Sequence, residues 1–310
     1  MLKNIEIKHI TEFELDDLKN LVNGLYAVQR PSNYFKWQWF NSQFESLLIG
    51  AFVGGEMAGV FGIQKKTLCG NINFGYITNL NVAKKFQGNG IFKILGNEAL
   101  KNNEYLDFHC VFANEAAQNR CKVDFGLSPI GSMHLMVLEN DFGVLDGNSD
   151  EWKLNQVTRS TIFPETITSA SKAMFEYSSS YRHWRFSDHP IYKYMIVEME
   201  NSDFSIIKVF KDPVNSLVYG DIVDFECATN SIESLKKLFI CSSKQLILMG
   251  ANKITTWAIP GTELSMAINV IGFKRSDYKS YFCLRVNNDR FNYLNDLSNW
   301  HLRESDASNY

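Results

Sequence analysis

The apolar residues fall into short segments with two different periods. Residues 47–52 and 57–63 are apolar runs on either side of Val53-Gly54-Gly55-Glu56, a pattern that predicts a β-hairpin with a glycine turn. Residues 76–82 form a third strand-like run. It passes through a polar stretch holding Gly88 and Gly90 into a helical pattern from Ile91 to about Asn102. Residues 106–113 read as a strand. Asn114 opens a helix-like stretch that ends at Phe125-Gly126-Leu127, and residues 132–138 read as a strand again. With a leading aromatic helix around Tyr34, the predicted order is helix, hairpin, strand, glycine loop, helix, strand, helix, strand.

This order recurs. Tyr34-x-x-Trp37-x-Trp39 returns 147 residues later as Tyr181-x-x-Trp184-x-Phe186, and Gly126-Leu127 returns 146 residues later as Gly272-Phe273. Between these anchors, 194–197 and 204–210 read as a hairpin and 217–227 as a strand. Residues 232–249 read as a helix, 253–259 as a strand, 262–271 as a helix and 281–286 as a last strand. Self-similarity at one long offset predicts two copies of one domain. A length of 310 residues accommodates two domains of ordinary size. The predicted division is a first domain over 1–145, a linker and bridging segment over 146–180, and a second domain over 181–310. The polar, glycine-bearing stretch 141–153 and the Ser/Thr-rich stretch 158–180 set those limits. The positions matching 86–92 fall at 233–239, which hold no glycine, so the second copy is expected to be degenerate there.

A strand that runs through a glycine loop into a helix makes an anion site. The first N–H groups of a helix have no intrahelical partner, and the helix dipole favours negative charge beside them. Gly88 and Gly90 let the backbone approach a ligand closely. A plain glycine turn has the same spacing, so pattern alone leaves both readings open. The run Gln87-Gly88-Asn89-Gly90-Ile91-Phe92 resembles the acyl-CoA signature of the GNAT acetyltransferases, Gln/Arg-x-x-Gly-x-Gly/Ala. It matches at Gln87 and Gly90, and Phe92 stands where Gly or Ala is usual. The resemblance implies an α/β fold with a mixed (α+β) sheet: two GNAT-like acyl-CoA N-acyltransferase domains in tandem, the second degenerate. It implies acetyl-CoA as acyl donor, held along Leu80, Asn81 and Val82 and by Gln87, Gly88, Asn89, Gly90, Ile91 and Phe92. Asn114 stands where that family has an Asn near the pantetheine arm, and Gly126-Leu127 resembles the Gly-Phe that ends its last helix.

Acyl transfer to an amine requires a neutral amine, a route for its proton and a donor to the thioester oxygen. In the GNAT fold the thioester lies where the fourth and fifth strands splay. That gap is expected to be walled by Tyr76, Thr78 and Asn79 on one side and Asp107 and His109 on the other. His109 is the candidate base, since an unperturbed imidazole titrates near neutrality, with Tyr76 and Asn79 beside it. A single His on an apolar strand equally suits a core side chain. Many relatives use a Tyr of the last helix as acid; here that place holds Arg120, Cys121 and Lys122. Trp37 and Trp39 suit either an acceptor platform or the core.

The run from Tyr181 to Tyr194, with Trp184-Arg185-Phe186 and His189-Pro190, resembles GNAT-like proteins encoded with surface-polysaccharide genes. So does the ending Trp300-His301-Leu302-Arg303-Glu304-Ser305-Asp306, with Glu304 off-pattern. This implies an amino-sugar acceptor, nucleotide-linked, contacted by Trp37, Thr78, Arg182 and Arg185. The two arginines suit a diphosphate, or equally an ion pair within the protein. The acceptor is expected between the first domain's splayed strands and a wall of the second, with Ser305-Asp306 closing it.

Charge and cysteine usage narrow the function classes. The net charge is −3 with no basic block, which disfavours nucleic acid as a partner. Lys84-Lys85 with Lys93 is a local exception that suits a CoA phosphate or a solvated face. The six cysteines are scattered without C-x-x-C or metal spacing, so no metal is expected. The first residues lack a signal region, and no apolar run approaches the roughly 18–20 residues of a membrane helix, so a cytoplasmic protein without a membrane span is expected. The reading is an acyl-CoA-dependent N-acyltransferase that acetylates an amino sugar in surface-glycan biosynthesis by direct amine attack. The alternatives are acyl or aminoacyl transfer to an amino acid or peptide amine, and a non-catalytic GNAT-like pair that only binds.

Overall fold

The computed structural model describes residues 4–139, 152–163, 172–213 and 215–307. The chain folds as two compact units. One comprises Met1–Gly131 and Tyr281–Trp300, the other Ser132–Ser280 and His301–Tyr310.

The first unit begins with β1 (Ile5–His9) and α1 (Leu15–Asn23), which buries Leu18, Leu21 and Val22 on one stripe. A single turn of helix, α2 (Ser32–Phe35), runs directly into a π-helical turn, Lys36–Phe40. The hairpin β2 (Ser46–Val53) and β3 (Glu56–Leu68) turns on Gly54 and Gly55. Both have positive φ (59° and 83°), the geometry that matches strand twist in a two-residue turn. Next come β4 (Ile72–Val82), α3 (Ile91–Lys101), β5 (Phe108–Ala113) and α4 (Glu115–Phe125). Asn114 caps α4 by accepting from Ala117 N–H, and Gly126 ends it at φ 72°. The strand order is β1-β2-β3-β4-β5 and then residues 281–286 of β12 (Lys274–Val286). Only β4 and β5 pair in parallel. One face packs against α3 and α4 through Phe61, Ile63, Ile77, Leu95, Val111 and Phe125.

The second unit repeats this order. Its elements are β6 (Ser128–Glu139, from Ser132 onward), β7 (Trp152–Gln156), α5 (Ser179–Arg182) with a π-helical turn at His183–Ser187, β8 (Met195–Met199) and β9 (Phe204–Lys211). They continue with β10 (Val218–Glu226), α6 (Ile232–Leu248), β11 (Lys253–Ala258) and α7 (Glu263–Val270). The order is β7-β8-β9-β10-β11-β6, with β10 and β11 parallel. The repeat is local as well as topological. A helical turn passing into a π-turn occurs at 32–40 and again at 179–187, and buries Trp37 and Trp184 at matching places.

Three sequence expectations are corrected. First, contiguous domains of 1–145 and 181–310 do not coincide with the two units. β6 pairs with β11 (Leu138↔Ile254) and β12 with β5 (Cys283↔Val111), so the last strands are exchanged. Both strands are short, mainly apolar runs in the sequence (133–138 and 281–284), so neither pattern encodes which sheet edge receives it. Second, part of the expected linker is structured. Residues 152–156 form β7, paired with β8 through Leu154↔Val197, and match β1 at the 147-residue offset. Residues 146–151 and 164–171 of that linker lie outside the described residues. Third, the counterpart of the glycine loop is not 233–239, which lies inside α6. It is the shorter connection 227–231, ending in Ser231, whose Oγ accepts from Ser234 N–H and caps α6.

Among the described residues no helix is long and apolar enough to cross a membrane.

Candidate active site

The β4–β5 ladder holds three pairs, Phe74↔Phe108, Gly75↔His109 and Tyr76↔Cys110, and stops. β4 continues to Val82 and β5 to Ala113, so the two parallel strands run on unpaired with each other beyond Tyr76. A bulge follows on β4. Gly62 of β3 opposes Thr78 and Val60 opposes Asn81, which leaves Asn79 and Leu80 facing Phe61 alone. Asn79 takes φ 52°, a left-handed conformation that Asn tolerates better than branched residues.

Neutral polar side chains surround the bulge. Asn79 Nδ2 donates to Gln38 Oε1 at 3.2 Å, and Gln64 Nε2 donates to the Gln38 carbonyl at 2.9 Å. Tyr26 Oη donates to Asn81 Oδ1 at 2.8 Å. Gln38, Gln64, Thr78 and Asn81 are all buried. Gln38 reaches this place because the π-turn pins Trp37 and Trp39 on either side of it. The Trp39 ring lies over Gly62, where a Cβ would come within 2.0 Å of its Cη2. The aromatic spacing marks both tryptophans and carries no signal for the Gln between them.

The glycine loop stands at the end of β4. Gly88 and Gly90 adopt φ 78° and 80°, and a Cβ on either would meet no atom within 4 Å. Gly90 caps α3 with no side-chain hydrogen bond, and Ile94 N–H to Gly90 O is the first bond of the helix. Among the described residues no hydrogen bond is made by the N–H groups of Gly88, Asn89, Gly90, Ile91 or Phe92. The flanking side chains bond inward. Gln87 Nε2 donates to Val82 O at 3.1 Å, and Asn89 Nδ2 donates to Phe86 O and Gln87 O. The loop is thus braced through its carbonyls while its N–H groups stay open, the polarity that an anion requires. These residues fit a pyrophosphate. Phe92 turns away from the loop onto Phe125 of α4, and Gly96 supplies the room, since a Cβ there would fall 2.1 Å from the Phe125 ring. Asn114 is exposed at the start of α4, its Oδ1 already used by Ala117 N–H. Lys84 and Lys85 are exposed beside a depression of about 450 Å³ lined also by Asp17, Asn20 and Glu56, and Lys85 pairs with Glu56 at 2.6 Å.

His109 does not line the gap. It belongs to the closed part of the ladder, is 1% exposed, and packs against Gly75. Asn287 Nδ2 donates both to Leu106 O, at 2.9 Å, and to His109 Nδ1, at 3.1 Å. A carbonyl only accepts, so Leu106 fixes the amide orientation, and His109 is then the Nε2–H tautomer with its lone pair occupied. Burial and the nearby Arg285 charge push its pKa down to about 4. Asp107 is likewise engaged, accepting from Asn288 and Arg290. Tyr76 forms the last closed pair, with Lys66 Nζ 4.1 Å over its ring.

Arg182 and Arg185 correct another expectation. They are 1% and 4% exposed within the second unit. Arg182 bonds Glu226 at 2.7 Å, and Arg185 donates to Ala307 O at 3.2 Å. Neither guanidinium faces a solvent-borne diphosphate. Ser305 and Asp306 are buried in that unit too, with Tyr181 and Tyr177.

The exchanged strand brings in a residue that no local pattern connects with this site. Tyr281 of β12 pairs with Ala113 at the end of β5, and its hydroxyl bonds Glu115 in the first turn of α4. In α4 itself Arg120 pairs with Asp124, and Cys121 is buried with its thiol pushed up to about 11. Among the described residues no group of three or more His, Cys, Asp or Glu is arranged to hold a metal ion.

No protein-family model matches the sequence, and comparison with curated proteins gives no significant match. Solved structures do match. Saccharomyces cerevisiae N-myristoyltransferase with bound myristoyl-CoA is similar over 93% of this chain and 83% of that one, with TM-score 0.62 and 12% identity. A GCN5-related N-acetyltransferase from Anabaena variabilis is similar over 92% and 74%, with TM-score 0.65 and 12% identity. A tandem GNAT protein from the clavulanic acid biosynthesis pathway is similar over 92% and 99%, with TM-score 0.61 and 12% identity. The chain has the GNAT acyltransferase fold, with a mixed α/β sheet in each of two repeats of one element order.

Proposed function

We propose that the protein is an acyl-CoA-dependent N-acyltransferase whose donor site is the glycine loop and the β4–β5 gap of the first unit. One observation carries this reading: among the described residues, five consecutive backbone N–H groups, Gly88 to Phe92, lack partners at the mouth of a gap between parallel strands. The donor brings an activated acyl group as a thioester. The loop amides hold its pyrophosphate, and the dipole of α3 adds to their attraction. Beyond Tyr76 the free edge of β4 guides the pantetheine arm along Leu80, Asn81 and Val82. The bulge at Asn79–Leu80 takes a backbone amide out of the ladder, and we assign that amide to the thioester oxygen.

The acceptor amine attacks the thioester directly, with no acyl-enzyme. Its proton leaves through solvent or the neutral cluster of Gln38, Thr78 and Asn79. His109 has no part in this, because its lone pair is held by Asn287. Tyr281, beside the first turn of α4, is the group we assign to protonate the departing thiolate, its hydroxyl turning from Glu115, to which it donates in the free protein, towards the sulfur. Gln38, Gln64, Asn79 and Asn81 suit a hydroxylated, uncharged acceptor body. That supports an amino sugar, as does the resemblance of residues 181–194 and 300–306. A nucleotide diphosphate on that sugar gains no support from Arg182 or Arg185, which are buried.

Calorimetry with acetyl-CoA on the wild type and Gly90→Val tests the reading. The substitution meets no neighbouring atom but forces a branched residue to φ 80°, so donor binding should be lost while the circular dichroism spectrum is kept. Unchanged affinity would reject the loop as the donor site.

A further inference from the structure

The second unit holds four consecutive polar residues where a polar run is least expected. Arg303, Glu304 and Ser305 are each 2% exposed and Asp306 is fully buried. Such residues are almost never buried without dedicated partners. They form a single 3₁₀ turn that lies against β10 and β11. The β10–β11 ladder, like β4–β5, closes for three pairs (Tyr219↔Lys253, Gly220↔Ile254, Asp221↔Thr255) and stops. The turn 304–306 therefore meets the second unit at its own parallel-strand gap.

The contacts of Arg303 and Asp306 are those of a recognised ligand, while among the described residues the Glu304 carboxylate and the Ser305 hydroxyl accept or donate no hydrogen bond. Arg303 donates to Asp224 at 2.8 Å and to Glu226 at 3.0 Å, with its guanidinium 4.4 Å over the Tyr177 ring. Arg182 bonds the same Glu226. Tyr177 donates to Asp306, Tyr181 to Ser305 O, and Arg185 to Ala307 O. The turn closes on itself through Arg303 N–H to Asp306 Oδ2 at 2.7 Å. The corresponding positions of the first unit lack this charge set. Phe35 and Gln38 stand 147 residues before Arg182 and Arg185, and Tyr76 occupies the third ladder pair where Asp221 stands in the second. The receptor has been built in one copy only.

We propose that the β10–β11 gap of the second unit is a peptide-binding site for an Arg-x-x-Asp turn, occupied by the chain's own residues 303–306. The segment acts as a built-in ligand. Its arginine shares the Asp224–Glu226 pair with Arg182, and its aspartate receives Tyr177. The gap that serves the donor in the first unit is thereby filled in the second. This inference stands on the second unit alone and is independent of what the first unit transfers.

The test uses a fluorescent peptide of residues 301–310. Wild-type full-length chain should not bind it, because the site is filled. Full-length Arg303→Gln, whose own segment is weakened, should bind the wild-type peptide with one-to-one stoichiometry. It should bind a peptide carrying the same Arg303→Gln change about 100-fold or more weakly, as for a lost buried charge pair. Equal binding of the two peptides, or binding by the wild-type chain, would overturn the proposal. If Arg303→Gln does not fold alone, the same full-length variant is refolded from urea with and without the peptide. Recovery of a cooperative melt only with the wild-type peptide supports the site, and recovery that does not depend on the peptide, or no recovery at all, overturns it.

Discussion

Phe92 stacks on Phe125, with ring centroids 5.0 Å apart and planes 18° from parallel. The residue that departs from the Gly/Ala of the acyl-CoA signature is thus a bolt between α3 and α4, and its side chain leaves the loop amides open. Phe92→Ala should lower stability by about 1–3 kcal/mol in denaturant melts, since half-buried stacking and apolar area are lost. It should change the dissociation constant for acetyl-CoA by less than about threefold. A large loss of affinity at unchanged stability would place the Phe92 ring in the donor site.

His109 should govern stability against pH and leave turnover alone. Its folded pKa of about 4 is below the ordinary 6.5, so the unfolded chain binds the extra proton between those values. Its stabilising contribution is complete above about pH 6.5 and disappears as pH falls towards 4, by roughly 3 kcal/mol in all. His301, pushed down to about 3 by burial and Arg303, acts in the same direction. Urea melts of His109→Gln should show a shallower fall between pH 6.5 and 4 than the wild type. The rate of acyl transfer at pH 7.5 should stay within a few-fold of wild type when corrected for folded fraction; a drop of 10²-fold or more would restore His109 as the base.

Gly62→Ala separates the acceptor side from the donor side. The added Cβ meets the Trp39 ring at 2.0 Å and must displace it, and Gln38 with it. Overpacking of this kind costs about 1–3 kcal/mol. The Michaelis constant for the amine should rise, while acetyl-CoA affinity stays within about threefold. Equal losses for both substrates would show that the Gln38 cluster does not belong to the acceptor.

Arg182→Gln should behave as a stability mutant. It removes one cation from the buried Asp224–Glu226 pair, which costs about 3–5 kcal/mol when a partner is left uncompensated. Neither substrate constant should move in the fraction that remains folded. A selective effect on a diphosphate-linked acceptor would return Arg182 to the substrate.

The legible and illegible parts of the chain divide along physical lines. Strand and helix limits were readable because each has its own punctuation: Gly54-Gly55 between β2 and β3, Asn114 before α4, Gly126 after it. The repeat was readable because the aromatic trio marks a π-turn that both copies need. The exchange of β6 and β12 was not, since strand pairing is a long-range choice between two edges that bury similar faces. The role of His109 was misread for the same reason. Its tautomer depends on Asn287, a residue 178 positions away that arrives only with the exchanged strand. Burial of Arg182 and Arg185 was equally hidden, because their partners Glu226 and Ala307 come from distant parts of the chain.

The central claim is that the loop amides of the first unit, and not their counterparts in the second, hold the donor. Hydrogen exchange with and without saturating acetyl-CoA tests it directly. The account predicts slowed exchange at residues 88–92, whose N–H groups have no partner among the described residues, and no change at 231–235, where Ser231 already caps α6. Slowing at 231–235, or no slowing at 88–92 under conditions where acetyl-CoA binds, would contradict it.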